Sequence, residues 1–172
     1  MPKKNLILTG MMGSGKSTVG LILLTKLQSD YNFIDTDELI VKIEGESINE
    51  IFKSKGEAYF RALESSVVDE IANTTDKIIA TGGGLVKNQD NIKKLKINGI
   101  VFYLSAHLEE IFSRLKNSSN RPLLNSVDMK NTIDMLLKER QNLYKQADYE
   151  VDTVNKSPED VADEIIEIYN KL

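Results

Sequence analysis

Residues 10–18 constrain the fold of this chain more than any other stretch. They read Gly-Met-Met-Gly-Ser-Gly-Lys-Ser-Thr and match G-x-x-x-x-G-K-[ST], the spacing of a phosphate-binding loop, or P-loop. An apolar run at 6–8 precedes them and a periodic apolar segment follows, which predicts a strand before the loop and a helix after it. An ordinary glycine-rich turn would also join a strand to a helix, but it would not need the Lys-Ser pair. The stretch therefore favours a nucleotide-binding α/β protein.

The chemistry of this loop assigns a role to its parts. Glycine lets the backbone turn tightly, so that successive N–H groups converge on nucleotide phosphates at the positive end of the following helix. Lys16 would reach the β and γ phosphates, and the Ser17 hydroxyl would bind one Mg²⁺ ion, which prefers hard oxygen ligands. The predicted nucleotide-binding residues of the loop are Gly13, Ser14, Gly15, Lys16, Ser17 and Thr18.

Composition narrows the class of partner. A chain of 172 residues is a single domain by length, predicted to span residues 1–172, and 41% hydrophobic residues is ordinary for a globular protein. The net charge of −4 argues against nucleic acid as the main partner. The absence of cysteine excludes a disulfide framework, a thiolate zinc site and a cysteine nucleophile. The first apolar run is too short for a signal peptide or a membrane span, so we expect a cytoplasmic protein that binds no membrane. We also expect a monomer that binds no nucleic acid.

Strand and helix patterns alternate along the chain. This order predicts an α/β fold with a mainly parallel five-stranded sheet covered by helices on both faces. A helical insertion at 36–73 lies between the second and third strands, and a polar, proline-interrupted segment at 117–127 is predicted to form a lid. The predicted strands are 5–9, 32–35, 77–81, 99–104 and 149–153.

Three polar segments follow predicted strands directly: the P-loop, the acids Asp35 and Asp37, and the glycines 82–84. Because ligands of parallel sheets collect at the carboxyl ends of the strands, we expect these segments to form one crevice. Asp35 would hold a water molecule of the Mg²⁺ shell, and Asp37 would accept a hydrogen bond from an attacking hydroxyl. Alternatively, both acids only cap the helix that follows them.

Four arginines are candidates for binding anions. Arg121, in the lid segment, is placed to swing onto a transferring phosphoryl group and stabilise its charge. Arg61 has glutamates at helical spacing on both sides, so an exposed ion pair is an equally good interpretation. Periodicity does not decide whether Arg140 and Arg114 point into the crevice. Since the guanine-reading and switch patterns of GTPases are absent from the sequence, a small kinase is the class favoured by these residues.

Taken together, these motifs resemble those of shikimate kinase, a small ATP-dependent enzyme of the nucleoside-monophosphate-kinase-like P-loop fold. The resemblance runs essentially from end to end and implies transfer of the ATP γ-phosphate to the 3-hydroxyl of shikimate, a step of aromatic (chorismate) biosynthesis that requires Mg²⁺. The motifs that carry it, beside the P-loop, are Phe-Ile-Asp-Thr-Asp from Phe33, Phe-Arg-x-x-Glu from Phe60, Gly-Gly-Gly from Gly82, Arg-Pro-Leu-Leu from Arg121 and Arg-x-x-x-Tyr from Arg140.

On the donor side, the resemblance implies that Lys16 binds phosphate, Ser17 binds the metal and Asp35 lies in the second shell of Mg²⁺. Arg121 resembles the lid arginine at the transferring phosphate. The nucleotide would also contact Arg114 and the loop that packs against adenine, which includes Pro158.

On the acceptor side, Asp37 resembles the residue that binds the reacting hydroxyl and serves as a base. Arg61 and Arg140 resemble the pair that binds the substrate carboxylate, a role that suits the planar guanidinium. Gly83 and Gly84 would bring backbone N–H groups to the same ligand. The predicted catalytic residues are therefore Lys16, Asp37 and Arg121.

Two positions depart from the family pattern. Asn91 is followed by Ile92, where the family usually has an Asn-Arg pair, and residues 154–157 contain no arginine, which leaves the adenine contact open. Two other functions also stay open at this point. One is phosphorylation of a different small molecule, such as gluconate or a nucleoside monophosphate, and the other is a catalytically silent ATP-binding module.

Overall fold

A parallel sheet forms the centre of the computed structural model, which describes residues 3–27, 30–116 and 128–172. Its five strands lie in the order β2-β3-β1-β4-β5, and every neighbouring pair is parallel. The predicted α/β fold with a five-stranded parallel sheet is confirmed. The strands are β1 (Asn5–Thr9), β2 (Asn32–Asp35), β3 (Lys77–Ala80), β4 (Gly99–Ser105) and β5 (Tyr149–Asp152).

Helices cover both faces of the sheet because the strand side chains alternate between the faces. Leu6 and Leu8 of β1 pack into one apolar cluster and Ile7 into the other, and all three are fully buried. Helices α1 and α7 cover the first cluster, and helices α2 to α6 cover the second. The helices are α1 (Lys16–Leu27), α2 (Thr36–Glu44), α3 (Ile48–Ile71), α4 (Gln89–Ile97), α5 (Leu108–Lys116), α6 (Met129–Tyr144) and α7 (Pro158–Tyr169), and a 3₁₀ turn spans Leu85–Lys87.

Side-chain caps set several of the helix boundaries. Ser47 and Glu50 form a reciprocal capping box at the start of α3, as their spacing predicts. Gly56 has φ 84° and ψ 171°, so α3 consists of two helical segments that meet at this residue. Glycine adopts a positive φ angle readily, so the residue type itself favours a break in the helix at this position. Helices α2 and α3 fill the interval between β2 and β3, where the helical insertion is predicted.

Helix α4 lies between the 3₁₀ turn and β4. It is short and rich in lysine, and its buried residues are Asn91, Ile92 and Leu95. The predicted lid at 117–127, with Arg121, lies outside the described residues. None of the helices in the described ranges combines the length and the apolar character needed to cross a bilayer.

Candidate functional site

The P-loop connects β1 to α1 and encloses the side chain of Lys16. Gly10, Gly13 and Gly15 have φ angles of 148°, 79° and 95°, which favour glycine over residues with a side chain. Lys16 Nζ donates to the carbonyl oxygens of Gly10, at 2.8 Å, and Met11, at 3.0 Å. A buried ammonium group thus lies at the N-terminus of α1, where the helix dipole also attracts anions.

Asp35 joins the P-loop helix to the next strand. Its Oδ2 accepts a hydrogen bond of 2.6 Å from Ser17 Oγ, while its Oδ1 accepts the backbone N–H groups of Asp37 and Glu38. Asp35 is therefore the N-cap of α2, as the capping interpretation predicts, and it is also a neighbour of the candidate metal ligand. One oxygen of the Asp35 carboxylate caps the helix, and the other contacts the Ser17 hydroxyl.

A polar cavity of about 470 Å³ opens in front of the P-loop. The residues that line it come from the loop, from the end of β2, from the start of α2, from the glycine triplet and from α5. They include Gly13, Lys16, Ser17, Asp37, Gly83 and Arg114. The cavity therefore brings together cationic groups, backbone amides and carboxylates, the set needed to bind a polyphosphate and its metal.

Arg114 separates this cavity from a neighbouring one of about 260 Å³. Its guanidinium donates to the carbonyl oxygen of Gly13 at 3.3 Å and to that of Thr153 at 3.2 Å, and it pairs with Glu110 at 2.9 Å. The neighbouring cavity is lined by Ser14, Gly15, Thr18, Arg114, Lys156 and Pro158, among others. The structure therefore brings Arg114 and Pro158 together beside the P-loop, and their nucleotide contacts stay a prediction.

A third cavity, of about 100 Å³, lies between the glycine triplet, α3 and α6. One part of its lining is apolar and the other part is charged. The apolar residues are Met12, Ile48, Phe52 and Phe60, and the charged ones are Asp37, Arg61, Glu64 and Arg140. The predicted acceptor-binding residues Asp37, Arg61, Gly83, Gly84 and Arg140 all line this one cavity.

Arg61 forms the ion pairs that its spacing predicts, and it also lies at the third cavity. Its guanidinium pairs with Glu57, one turn earlier, at 3.2 Å and with Glu64, one turn later, at 2.5 Å. It also lies on the cavity wall and 5.3 Å from the centre of the Phe60 ring. The ion pairs therefore hold the arginine at the cavity.

Arg140 points inward from α6. It is 4% exposed, and its Nε is buried without a hydrogen-bond partner among the described residues. An unsatisfied buried N–H group costs free energy until it finds an acceptor. Arg140 therefore points into the crevice, a question that the sequence pattern left open. Its Nε–H group is able to bind an anion.

At two positions of the triplet, other side chains approach the backbone so closely that only glycine fits. A Cβ at Gly82 would lie 2.5 Å from Oδ1 of Asp37, and a Cβ at Gly84 would lie 2.5 Å from the guanidinium nitrogens of Arg61. The backbone can therefore come next to both functional side chains only because these positions carry no side chain.

Glu64 is a site residue to which the sequence analysis gave no role beyond a helix pair. It is 1% exposed, it contacts Arg61, and its Oε1 has no hydrogen-bond partner among the described residues. Burial raises the pKa of Glu64, and the charge of Asp37 acts in the same direction, while Arg61 and Arg140 oppose the shift. The Phe-Arg-x-x-Glu spacing was the available signal, but spacing does not show burial.

The donor set at Ser17 fits Mg²⁺. Its hydroxyl and the nearby Asp35 carboxylate are hard oxygen groups within 2.6 Å of each other. Across residues 3–27, 30–116 and 128–172, no group of three or more acidic, His or Cys side chains is arranged to hold a metal ion. A Mg²⁺ ion at Ser17 would therefore take most of its ligands from nucleotide phosphates and water.

The chain is similar to known proteins over nearly its whole length. The family model described as Shikimate kinase matches residues 12–170. Shikimate kinase from Caldanaerobacter subterraneus subsp. tengcongensis is 45% identical over 169 residues, which are 98% of this chain and 98% of the relative.

Solved structures give the same result. Shikimate kinase from Acinetobacter baumannii, in complex with shikimate, has a TM-score of 0.92 and 35% identity, over 98% of this chain and 94% of that chain. A gluconokinase from Sinorhizobium meliloti 1021 has a TM-score of 0.61 but only 14% identity, over 99% of this chain and 93% of that chain, and so it shares the fold alone. Sequence and structure match over nearly the whole length of this chain and of the proteins compared with it, and the chain therefore belongs to the shikimate kinase family.

Proposed function

We propose that this chain, a phosphotransferase of the shikimate pathway, transfers the γ-phosphoryl group of ATP to the 3-hydroxyl of shikimate. The proposal depends on one observation above all: Asp37 and Gly83 line both the cavity in front of the P-loop and the cavity that holds the two arginines. The phosphate donor and the acceptor therefore meet at Asp37.

On the donor side, the P-loop amides and Lys16 bind the β and γ phosphates. Ser17 would hold Mg²⁺, and Asp35 contacts the Ser17 hydroxyl. When bound, Mg²⁺ neutralises negative charge on the phosphate oxygens. Lys16 exchanges its two carbonyl partners for phosphate oxygens as the nucleotide enters. Arg114 and Pro158 line the neighbouring cavity, where the rest of the nucleotide binds.

On the acceptor side, Arg61 and Arg140 bind the carboxylate of shikimate. Two guanidinium groups on one wall supply several N–H donors for a carboxylate, and charge-assisted hydrogen bonds of this kind are the strong ones. The apolar wall of Met12, Phe52 and Phe60 covers the carbon ring. Backbone N–H groups of Gly83 and Gly84 complete the contacts.

In the reaction, the 3-hydroxyl oxygen of shikimate attacks the γ phosphorus, the bond from phosphorus to the β,γ-bridging oxygen breaks, and ADP leaves. Asp37 accepts the hydroxyl proton or orients the hydroxyl for attack. Lys16 stabilises the charge that develops on the phosphoryl oxygens, and Arg121, carried over from the family resemblance, assists it from the lid.

An acceptor panel tests this proposal against its alternatives. ADP release from Mg-ATP is measured with shikimate, gluconate, nucleoside monophosphates and no acceptor, and the product is identified by ³¹P NMR. We expect rapid release with shikimate alone. Turnover of another acceptor without shikimate turnover would make the chain a different kinase, and no turnover with any acceptor would favour the silent ATP-binding module.

The remaining expectations stay predictions. They are a cytoplasmic location, a monomeric state, one Mg²⁺ ion and the absence of nucleic-acid and membrane partners. Gel filtration with light scattering tests the monomer, and rates measured with and without Mg²⁺ test the metal requirement.

A further inference from the structure

Tyr144, the last residue of α6, makes a contact that the proposed roles above do not use. It is fully buried, and its ring stacks on Tyr103 with centroids 5.1 Å apart and planes 18° apart. Its hydroxyl donates to the carbonyl oxygen of Gly83 at 2.5 Å and lies 3.9 Å from the sulfur of Met11 in the P-loop. One side chain thus touches the glycine triplet, the P-loop and the core.

The hydrogen bond to Gly83 acts between two other anchors of the glycine triplet. The Gly82 N–H group donates to Thr36 Oγ1 at 2.9 Å, and the Gly84 carbonyl oxygen accepts from the Lys87 N–H group at 3.0 Å. Gly83 has no Cβ, and a Cβ placed there would meet only ordinary contacts, at 3.4 Å from Met12 N and beyond. A side chain and close packing therefore add nothing at Gly83 to what hydrogen bonds supply. A hydrogen bond to the Gly83 carbonyl fixes the plane of the Gly83–Gly84 peptide, and with it the direction of the Gly84 N–H group.

The same bond ties α6 to the triplet. Tyr144 follows Arg140 by one helical turn, so the two side chains lie on the same face of α6. Arg140 and Gly84 both line the acceptor cavity. The position of the Tyr144 hydroxyl therefore sets the distance between a guanidinium on the helix and an amide on the loop.

The hydroxyl keeps its proton under physiological conditions. Burial raises the pKa of Tyr144 to about 12, even though the positive charge of Arg140 acts in the opposite direction. Tyr144 is consequently a permanent donor, which matches the acceptor character of the Gly83 carbonyl.

We propose that Tyr144 is a positioning residue, whose hydrogen bond to Gly83 holds the Gly84 N–H group and Arg140 in the geometry that binds the acceptor anion. A donor to the carbonyl of a peptide also polarises the N–H group of that peptide, so the bond strengthens the Gly84 amide as a donor. This inference rests on the proposed function, because the acceptor anion is the shikimate carboxylate.

The test compares Tyr144→Phe with Tyr31→Phe. Phenylalanine keeps the ring of Tyr144 and removes only the hydroxyl. Tyr31 is a matched control because it is also buried, and its hydroxyl lies 3.0 Å from that of Tyr169, in the apolar cluster on the opposite face of the sheet. Melting temperatures of both variants check that each one folds.

We expect Tyr144→Phe to raise the shikimate KM by about 3- to 10-fold, the effect of losing one hydrogen bond, and to leave the ATP KM unchanged. Tyr31→Phe should lower the melting temperature and change neither KM. An unchanged shikimate KM in Tyr144→Phe, an equal rise in both KM values, or the same shikimate effect in Tyr31→Phe would overturn the inference.

NMR separates the failure of this inference from the failure of the proposed function. The chain has only ten glycines, so ¹⁵N,¹³C-glycine labelling resolves the Gly83 carbonyl and the Gly84 amide. We expect Tyr144→Phe to shift both resonances in the ligand-free protein, and Tyr31→Phe to shift neither. If the wild type used another acceptor, the proposed function would fail and this measurement would still test the hydrogen bond; unshifted Gly83 and Gly84 resonances would refute the positioning role whatever the acceptor is.

Discussion

Ser17 Oγ donates to Asp35 Oδ2 at 2.6 Å, and through this bond the P-loop helix contacts the junction between β2 and α2. The second oxygen of Asp35 caps α2 by accepting the amides of Asp37 and Glu38. One carboxylate therefore orients the hydroxyl that we propose binds Mg²⁺, and it also begins the helix that carries Asp37. These two roles can be separated, because asparagine caps a helix about as well as aspartate but carries no charge.

Asp35→Asn should raise the Mg²⁺ concentration that the reaction requires and leave the free energy of unfolding nearly unchanged. The variant keeps an N-cap oxygen and loses the negative charge beside the metal, so we expect the Mg²⁺ concentration for half-maximal rate to rise about tenfold or more. The rate is measured against free Mg²⁺ at constant nucleotide. Asp35→Ala removes the cap as well, and it should lower the free energy of unfolding by about 0.5–2 kcal/mol. Equal Mg²⁺ dependence in Asp35→Asn and the wild type would leave Asp35 with the capping role alone.

Asp37→Asn should suppress turnover and leave ATP binding nearly unchanged. Asparagine has the same shape but cannot accept a proton at neutral pH, and loss of a positioned acid or base costs about 100-fold or more in kcat. Single-turnover rates give the chemical step, and calorimetry with a non-hydrolysable ATP analogue gives the affinity. A kcat close to that of the wild type would remove Asp37 from the mechanism.

Arg140→Ala should raise the shikimate KM strongly. A charge-assisted hydrogen bond contributes about 1.5–3 kcal/mol, which corresponds to about 10- to 150-fold in affinity. Because Arg140 is only 4% exposed, the melting temperature should also fall as its packing is lost. The ATP KM serves as the internal control. A lower melting temperature with an unchanged shikimate KM would show that Arg140 is structural.

Gly84→Ala tests the close approach to Arg61. The φ angle of Gly84 is −98°, which alanine adopts without strain, so the conflict to be tested is the 2.5 Å approach of the new Cβ to the guanidinium. Arg61 must move away, and we expect the shikimate KM to rise roughly tenfold, with little change in stability. Steady-state kinetics and thermal unfolding measure the two effects. An unchanged KM would mean that Arg61 binds the acceptor equally well from a displaced position.

The sequence predicted the parts of the site that depend on chain order. Strands end where their apolar runs end, and parallel strands bring their carboxyl ends to one edge, so the P-loop, Asp37 and Gly83 meet as the alternating pattern predicts. The helix boundaries at Ser47 and Gly56 also follow from local chemistry. These features need no knowledge of which helix packs on which.

The sequence pattern did not show which way the side chains of the site point, and the tertiary structure was needed to determine it. Arg140 has an exposed neighbour, Glu139, and a short periodic pattern does not show which of them faces the core. Glu64 and Tyr144 were visible as members of motifs, but their roles depend on contacts with Arg61 and Gly83 that come from helix packing. The distribution of buried charge was therefore the part of the site that the sequence left undetermined.

Glu64→Gln should change the pH dependence of stability. Burial raises the folded-state pKa of Glu64 above its usual value, so its carboxyl contributes stability that is full below the unfolded-state pKa and is lost as pH rises through the folded-state pKa. Glutamine does not titrate. The free energy of unfolding of the wild type minus that of Glu64→Gln should therefore fall as pH rises above about 4.3, the usual pKa of glutamate, as measured by urea unfolding.

Glu57→Gln is the matched control for this measurement, since Glu57 pairs with the same arginine from the exposed side. Arg61 and Lys87 hold the pKa of Glu57 below its usual value, so its contribution has the opposite sign: it is present above the unfolded-state pKa and is lost as pH falls through the folded-state pKa. Its side chain is 54% exposed, and solvent screening should make this change small. Difference curves that slope in the same direction for Glu64→Gln and Glu57→Gln would contradict the assignment of Glu64 as the buried partner of Arg61.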